Sequence, residues 1–115
     1  MTALPGKRLL CRLDEIEDGG SRGLEAEVDG RREALLAVRR GGAVFVYINS
    51  CPHIGAPLDF LPGRFLNAEG THILCSTHGA LFRIEDGACV SGPCAGDQLR
   101  PVPTVVENGK LFLTG

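Results

Sequence analysis

Two short segments constrain this chain more than anything else in it: Cys51-Pro52-His53-Ile54-Gly55 and Cys75-Ser76-Thr77-His78-Gly79. Each offers one thiolate and one imidazole donor, and each ends on a glycine. His53 and Cys75 are separated by 21 residues, so one metal site using all four donors requires a fold that brings two loops to one point. The gaps within the pairs, one residue and two residues, are short enough for both donors of a loop to face that point. Gly55 and Gly79 let each loop turn tightly and aim backbone N–H groups at anionic ligands of a metal.

The flanking sequence reads as short strands and turns. Sixteen glycines and seven prolines in 115 residues imply many loops, which favours β structure over long helices. Leu9, Cys11 and Leu13 alternate onto one face, with Cys11 in the core, and Leu24, Ala26 and Val28 alternate onto another before the turn signal Asp29-Gly30. Ala37 and Val38 lead to the turn Arg40-Gly41-Gly42 and the β-rich run Ala43 to Ile48. Val105 to Leu113 reads as a hairpin about Asn108-Gly109, a pair suited to a type I′ turn. The expectation is one all-β domain over 1–115, with β scaffold in 1–50 and 97–115 and the metal chemistry in 51–96.

Charge excludes some partners. Twelve basic and 14 acidic residues leave a net charge of −2 with no basic patch, which argues against nucleic acid. No stretch approaches the roughly 18 apolar residues of a membrane span, and Lys7-Arg8 is followed by too short an apolar run for a signal peptide. A cytoplasmic location follows as an expectation. The odd count of five cysteines then reads as metal ligands plus reduced thiols.

Two thiolates and two imidazoles are the donors of a [2Fe–2S] centre in which two His replace two Cys on one iron. Two ferric ions, two sulfides and two thiolates sum to zero, whereas four thiolates would leave −2. Neutral imidazoles therefore raise the reduction potential, and their second ring nitrogen can titrate, so the potential should fall as pH rises through that deprotonation. The competing reading is a structural Cys₂His₂ zinc site, whose usual signature pairs Cys with Cys and His with His.

On these two motifs, with Phe82 in the following strand and Gly92-Pro93 further on, the chain resembles a Rieske-type ferredoxin of the bacterial ring-hydroxylating oxygenase systems. The resemblance implies three stacked antiparallel sheets with the cluster at one tip. It implies that Cys51 and Cys75 hold the buried ferric iron and that His53 and His78 hold the outer iron, which becomes ferrous on reduction. Gly92-Pro93 would belong to a third, cluster-covering loop. Respiratory relatives add a disulfide between the ligand loops and Ser and Tyr hydroxyls on the cluster sulfurs. Here Ala56 and Thr77 stand at the disulfide positions, and Ala80 and Phe82 at the hydroxyl positions. Fewer donors leave the reduced cluster less stabilised, so the expectation is a low-potential centre.

The function so implied is a carrier passing single electrons from a flavin-type reductase to a terminal oxygenase, monomeric and without a catalytic site of its own. The alternatives are a small Rieske subunit of a nitrite-reductase-like enzyme and a redox or iron sensor. The loop over 54–74 carries Phe60, Leu61, Phe65 and Leu66, which read as a small cluster of the loop's own or as an apolar docking surface. Cys89 and Cys94 read as buried thiols, with a disulfide as the alternative. His72 reads as a surface residue, and Arg31-Arg32 and Arg39-Arg40 as solvated strand ends.

Overall fold

The alternating segments become antiparallel strands joined by the turns their sequences signal. The computed structural model describes residues 7–52, 57–59, 63–75, 79–92 and 96–114. Among them run β1 (Arg8–Arg12), β2 (Ser21–Val28), β3 (Arg31–Arg40), β4 (Ala43–Ile48), β5 (His72–Leu74), β6 (Leu81–Arg83), β7 (Cys89–Ser91), β8 (Thr104–Glu107) and β9 (Lys110–Leu113). They form three sheets of three strands, ordered β1-β9-β8, β2-β3-β4 and β5-β6-β7. All pairings are antiparallel, as the resemblance implies.

Turn chemistry sets the registers. Asp29 and Gly30, at φ 53° and 80°, join Val28 to its partner Arg31. Asn108 and Gly109, at φ 51° and 71°, join Glu107 to Lys110. Two central residues at positive φ define the type I′ turn, which matches the twist of the strands it connects. Gly41, at φ 60°, opens the β3–β4 turn.

The middle sheet is buried on both faces. Leu36, Val38 and Tyr47 join one core with Ile73, Phe82, Ile84 and Leu99, while Leu35, Ala37, Val46 and Ile48 join a second core with Cys11, Leu111 and Leu113. This explains the unbroken run Leu35 to Val38, since a strand covered on both sides has no solvent face to keep polar. Residues 97–102 then close two open edges. Ile48 N donates to Arg100 O (2.9 Å) and Val102 N to Val46 O (3.0 Å), while Cys89 N donates to Asp97 O (2.9 Å) and Leu99 N to Gly87 O (2.9 Å).

Two expectations are corrected here. Leu9 does not share the face of Cys11: a bulge between Leu9 and Cys11 inserts Leu10, so Cys11 is buried while Leu9 is 57% exposed. Leu13 leaves the strand for a 3₁₀ turn. Nor is Arg39 a solvated strand end, because its guanidinium donates to Ile16 O at 3.0 Å and Gly41 O at 2.7 Å and braces that turn. No helix of the described residues is long and apolar enough to cross a membrane.

Candidate metal centre

Cys51 lies three residues beyond the end of β4, and Cys75 follows β5 directly. The two thiols are 1% and 0% exposed, form no disulfide, and belong to the same core as Leu36, Phe65, Ala80 and Phe82. A buried thiolate requires a compensating cation, and thiolate is the soft donor that iron–sulfur clusters select. Two such residues at the roots of two loops therefore fit the buried iron of a mixed-ligand [2Fe–2S] cluster. His53 and His78 lie outside the described residues, as do Gly55, Ala56, Phe60, Leu61, Thr77, Pro93 and Cys94. Among the described residues, no three His, Cys, Asp or Glu side chains gather into another metal site.

The second ligand loop is closed by backbone bonds. Cys75 N donates to Ala80 O at 2.9 Å, extending the β5–β6 ladder, and Gly79 N donates to Cys75 O at 2.8 Å. Gly79 sits at φ 71°, as the tight turn requires. Its N–H, expected to face an anionic ligand of the metal, is instead spent inside the loop. The reason is local: a turn returning from residue 79 to 75 leaves the Cys75 carbonyl in need of a donor.

The first loop is braced by residues that the motifs do not include. Asn49 Oδ1 accepts from Leu58 N (2.8 Å) and Asn49 Nδ2 donates to Asp59 Oδ1 (2.9 Å), while Asp59 Oδ2 accepts from Gly63 N (3.1 Å). An Asn two residues before a ligand is a signal of such bracing, because short amides readily bond nearby backbone. Ser21 Oγ then donates to Gly63 O at 2.9 Å, tying the segment to β2. Phe65 goes beyond a cluster of the loop's own: it is fully buried in the main core, with Leu66 packed beside it.

A third segment rests on the second ligand loop. Gly92 adopts φ 102°, and a Cβ there would stand 2.8 Å from Ala80 Cα, so only glycine allows this approach. Ala80 and Phe82 are both fully buried and neither carries a hydroxyl. Cys89 is buried with its Sγ 3.4 Å from Ser91 O, and its relation to Cys94 falls outside the described residues. His72 opens β5, half-buried, with Nδ1 2.9 Å from Thr71 Oγ1.

In the same core as the two thiols, Tyr47 is 3% exposed and its hydroxyl donates to Ile84 O at 2.6 Å. Burial pushes its pKa up to about 12, helped by the nearby Asp86 and Glu85 carboxylates. In the other core, burial raises the Cys11 thiol, with Glu15 adding to the effect.

The family model described as the Rieske [2Fe-2S] domain matches residues 7–106. No curated protein sequence matches the chain. Among solved structures, the ferredoxin of carbazole 1,9a-dioxygenase from Nocardioides aromaticivorans IC177 is 26% identical, with a TM-score of 0.74 over 96% of this chain and 98% of its own. The ferredoxin of Sphingomonas yanoikuyae B1 is 28% identical, with a TM-score of 0.73 over 96% of this chain and 99% of its own. A chain from a complex of reduced oxygenase and oxidized ferredoxin in carbazole 1,9a-dioxygenase shares the fold, at 23% identity and a TM-score of 0.72 over 95% and 93% of the two chains.

Proposed function

Because this chain belongs to the Rieske [2Fe–2S] domain family, we propose that it is a one-electron carrier between a flavin-type reductase and a terminal oxygenase. The observation that carries this reading is the burial of Cys51 and Cys75 in one core, at the roots of two loops, in a fold shared with the ferredoxin of a carbazole dioxygenase. When bound, the cluster supplies reversible one-electron chemistry. Cys51 and Cys75 would hold the inner iron inside the apolar core, where water cannot displace them. His53 and His78 would hold the outer iron, leaving a ring N–H of each for a partner or solvent.

The carrier works as one domain in the cytoplasm, where buried thiols such as Cys11 stay reduced. Ala80 and Phe82, both buried, offer the cluster sulfurs no side-chain hydroxyl. The potential then lies toward the negative end of the roughly −150 to +300 mV Rieske span.

Electron paramagnetic resonance of anaerobically purified, dithionite-reduced protein tests the reading, with iron and sulfide counted on the same sample. The expected result is two irons and two sulfides per chain and the low mean g value of mixed Cys/His ligation. Zinc without sulfide, even after anaerobic reconstitution, would overturn it. A redox titration of the same sample then places the potential.

A further inference from the structure

The hydrogen bonds that close the first ligand loop continue along the main core to the root of the second. Asn49 is anchored to β3, its backbone N donating to Ala34 O at 2.9 Å. Its amide works in both directions: Oδ1 accepts from Leu58 N at 2.8 Å, and Nδ2 donates to Asp59 Oδ1 at 2.9 Å. Asp59 Oδ2 accepts from Gly63 N at 3.1 Å. On β2, Ser21 Oγ donates to Gly63 O at 2.9 Å and accepts from Phe65 N at 3.3 Å. Phe65 O then accepts from Leu74 N at 2.8 Å. This chain of bonds starts two residues before Cys51 and ends one residue before Cys75.

The residue types follow from what each bond requires. Leu58 is fully buried in the core that holds both thiols, so its N–H needs an acceptor that water cannot supply. Asp59 is half-buried and has no ion-pair partner among the described residues, so its charge rests on the Asn49 amide and the Gly63 N–H. Position 49 must therefore accept and donate at once, which an amide does. A carboxylate there would face that of Asp59 with no proton between them. Two thiolates that share one iron must stay a fixed distance apart, and these bonds are a polar link between their loops.

From this we infer that Asn49 and Asp59 form a reciprocal pair of positioning residues, holding the roots of the two ligand loops at the separation a cluster needs. The inference rests on the reading of Cys51 and Cys75 as cluster ligands and adds the residues that keep them in place. Neither side chain is placed on an iron. Both act through the backbone on either side of the segment that bears Cys51 and His53.

Exchanging the pair tests it. In Asn49→Asp/Asp59→Asn the carboxylate accepts from Leu58 N and from the new amide, whose oxygen accepts from Gly63 N. Every bond of the pair is kept, and the charge moves across one hydrogen bond. Release of the cluster from anaerobically purified holoprotein to a chelator is followed by visible absorbance, beside the electron paramagnetic resonance line shape of the dithionite-reduced protein. Asn49→Asp is expected to release its cluster about three- to tenfold faster than the parent and to broaden the resonance lines. Asp59→Asn, which costs Gly63 N its acceptor, should release faster by a smaller factor. The double variant should return to within about twofold of the parent and recover its line shape. Asn49→Leu should also release faster and should gain nothing from Asp59→Asn. Tyr47→Phe removes a hydrogen bond from the same core at Ile84 and should keep the parent line shape. If Asn49→Asp takes up no cluster, a double variant that loads normally is the same rescue at its limit. Single effects that simply multiply in the double variant, or a Tyr47→Phe that broadens the lines as Asn49→Asp does, would overturn the pairing and leave the cluster reading standing. A parent protein holding zinc and no sulfide would overturn both.

Discussion

Tyr47 and Phe82 show how single atoms set the properties of this site. The Tyr47 hydroxyl is the donor that satisfies Ile84 O inside the main core. Tyr47→Phe removes it and leaves a buried carbonyl unpaired, at a cost of about 1–3 kcal/mol, visible as a lower melting temperature. The pH dependence has a definite sign. The folded pKa of about 12 lies above the ordinary 10, so above pH 10 the unfolded chain releases this proton while the native protein retains it. Stability therefore falls as pH rises from 10 towards 12, and thermal unfolding of Tyr47→Phe should show a flatter profile over that window. Phe82→Tyr probes the other end of the core. If its new hydroxyl donates to a cluster sulfur, as the Tyr of respiratory relatives does, redox titration should show a rise on the order of 50–100 mV; an unchanged potential would mean that residue 82 does not reach the cluster.

At the scale of elements, two glycines with nearly the same φ separate strain from contact. Gly92 and Gly96 sit at φ 102° and 99°, but a Cβ at Gly92 meets the Ala80 backbone and one at Gly96 meets nothing within 4 Å. Both alanine variants carry the positive-φ penalty of about 1–2 kcal/mol. Only Gly92→Ala must also lift the third segment off the second ligand loop. Following cluster loss by visible absorbance in air, Gly92→Ala should bleach several-fold faster than Gly96→Ala; equal rates would mean that this contact does not shelter the cluster. The hairpins were legible in the sequence because their causes are local. Asn108-Gly109 and Asp29-Gly30 carry their own turn, and a Cys-His pair carries its own donor chemistry. The bulge at Leu10, the brace of Asn49 on Asp59 and the strand-like role of residues 97–102 depend on partners 10 to about 100 positions away. Hydropathy could not reveal Leu9 as exposed, because one inserted residue reverses every side chain before it. Phe65 was legible as apolar, but its place in the main core depends on β2 and β5, which close over it only in the fold.

For the whole molecule, the decisive fact is that one strand serves two cores. Leu35 and Leu36 are adjacent on β3 and both fully buried, yet Leu36 packs in the core that holds Cys51 and Cys75, whereas Leu35 packs against Cys11, Leu111 and Leu113. Truncating either to alanine removes the same atoms from the same strand, and each should cost about 2–5 kcal/mol. The consequences for the metal centre should differ. Leu36→Ala opens a void in the core from which the ligand loops emerge, so the Cys51 and Cys75 thiolates lose lateral support and the cluster should leave faster. Leu35→Ala loosens only the packing of the first sheet on the second. Thermal unfolding should therefore rank the two variants together, while the rate of cluster release to a chelator should separate them, with Leu36→Ala faster by several-fold. Equal release would show that the middle sheet couples the two cores and that the scaffold responds as one body to a void on either face.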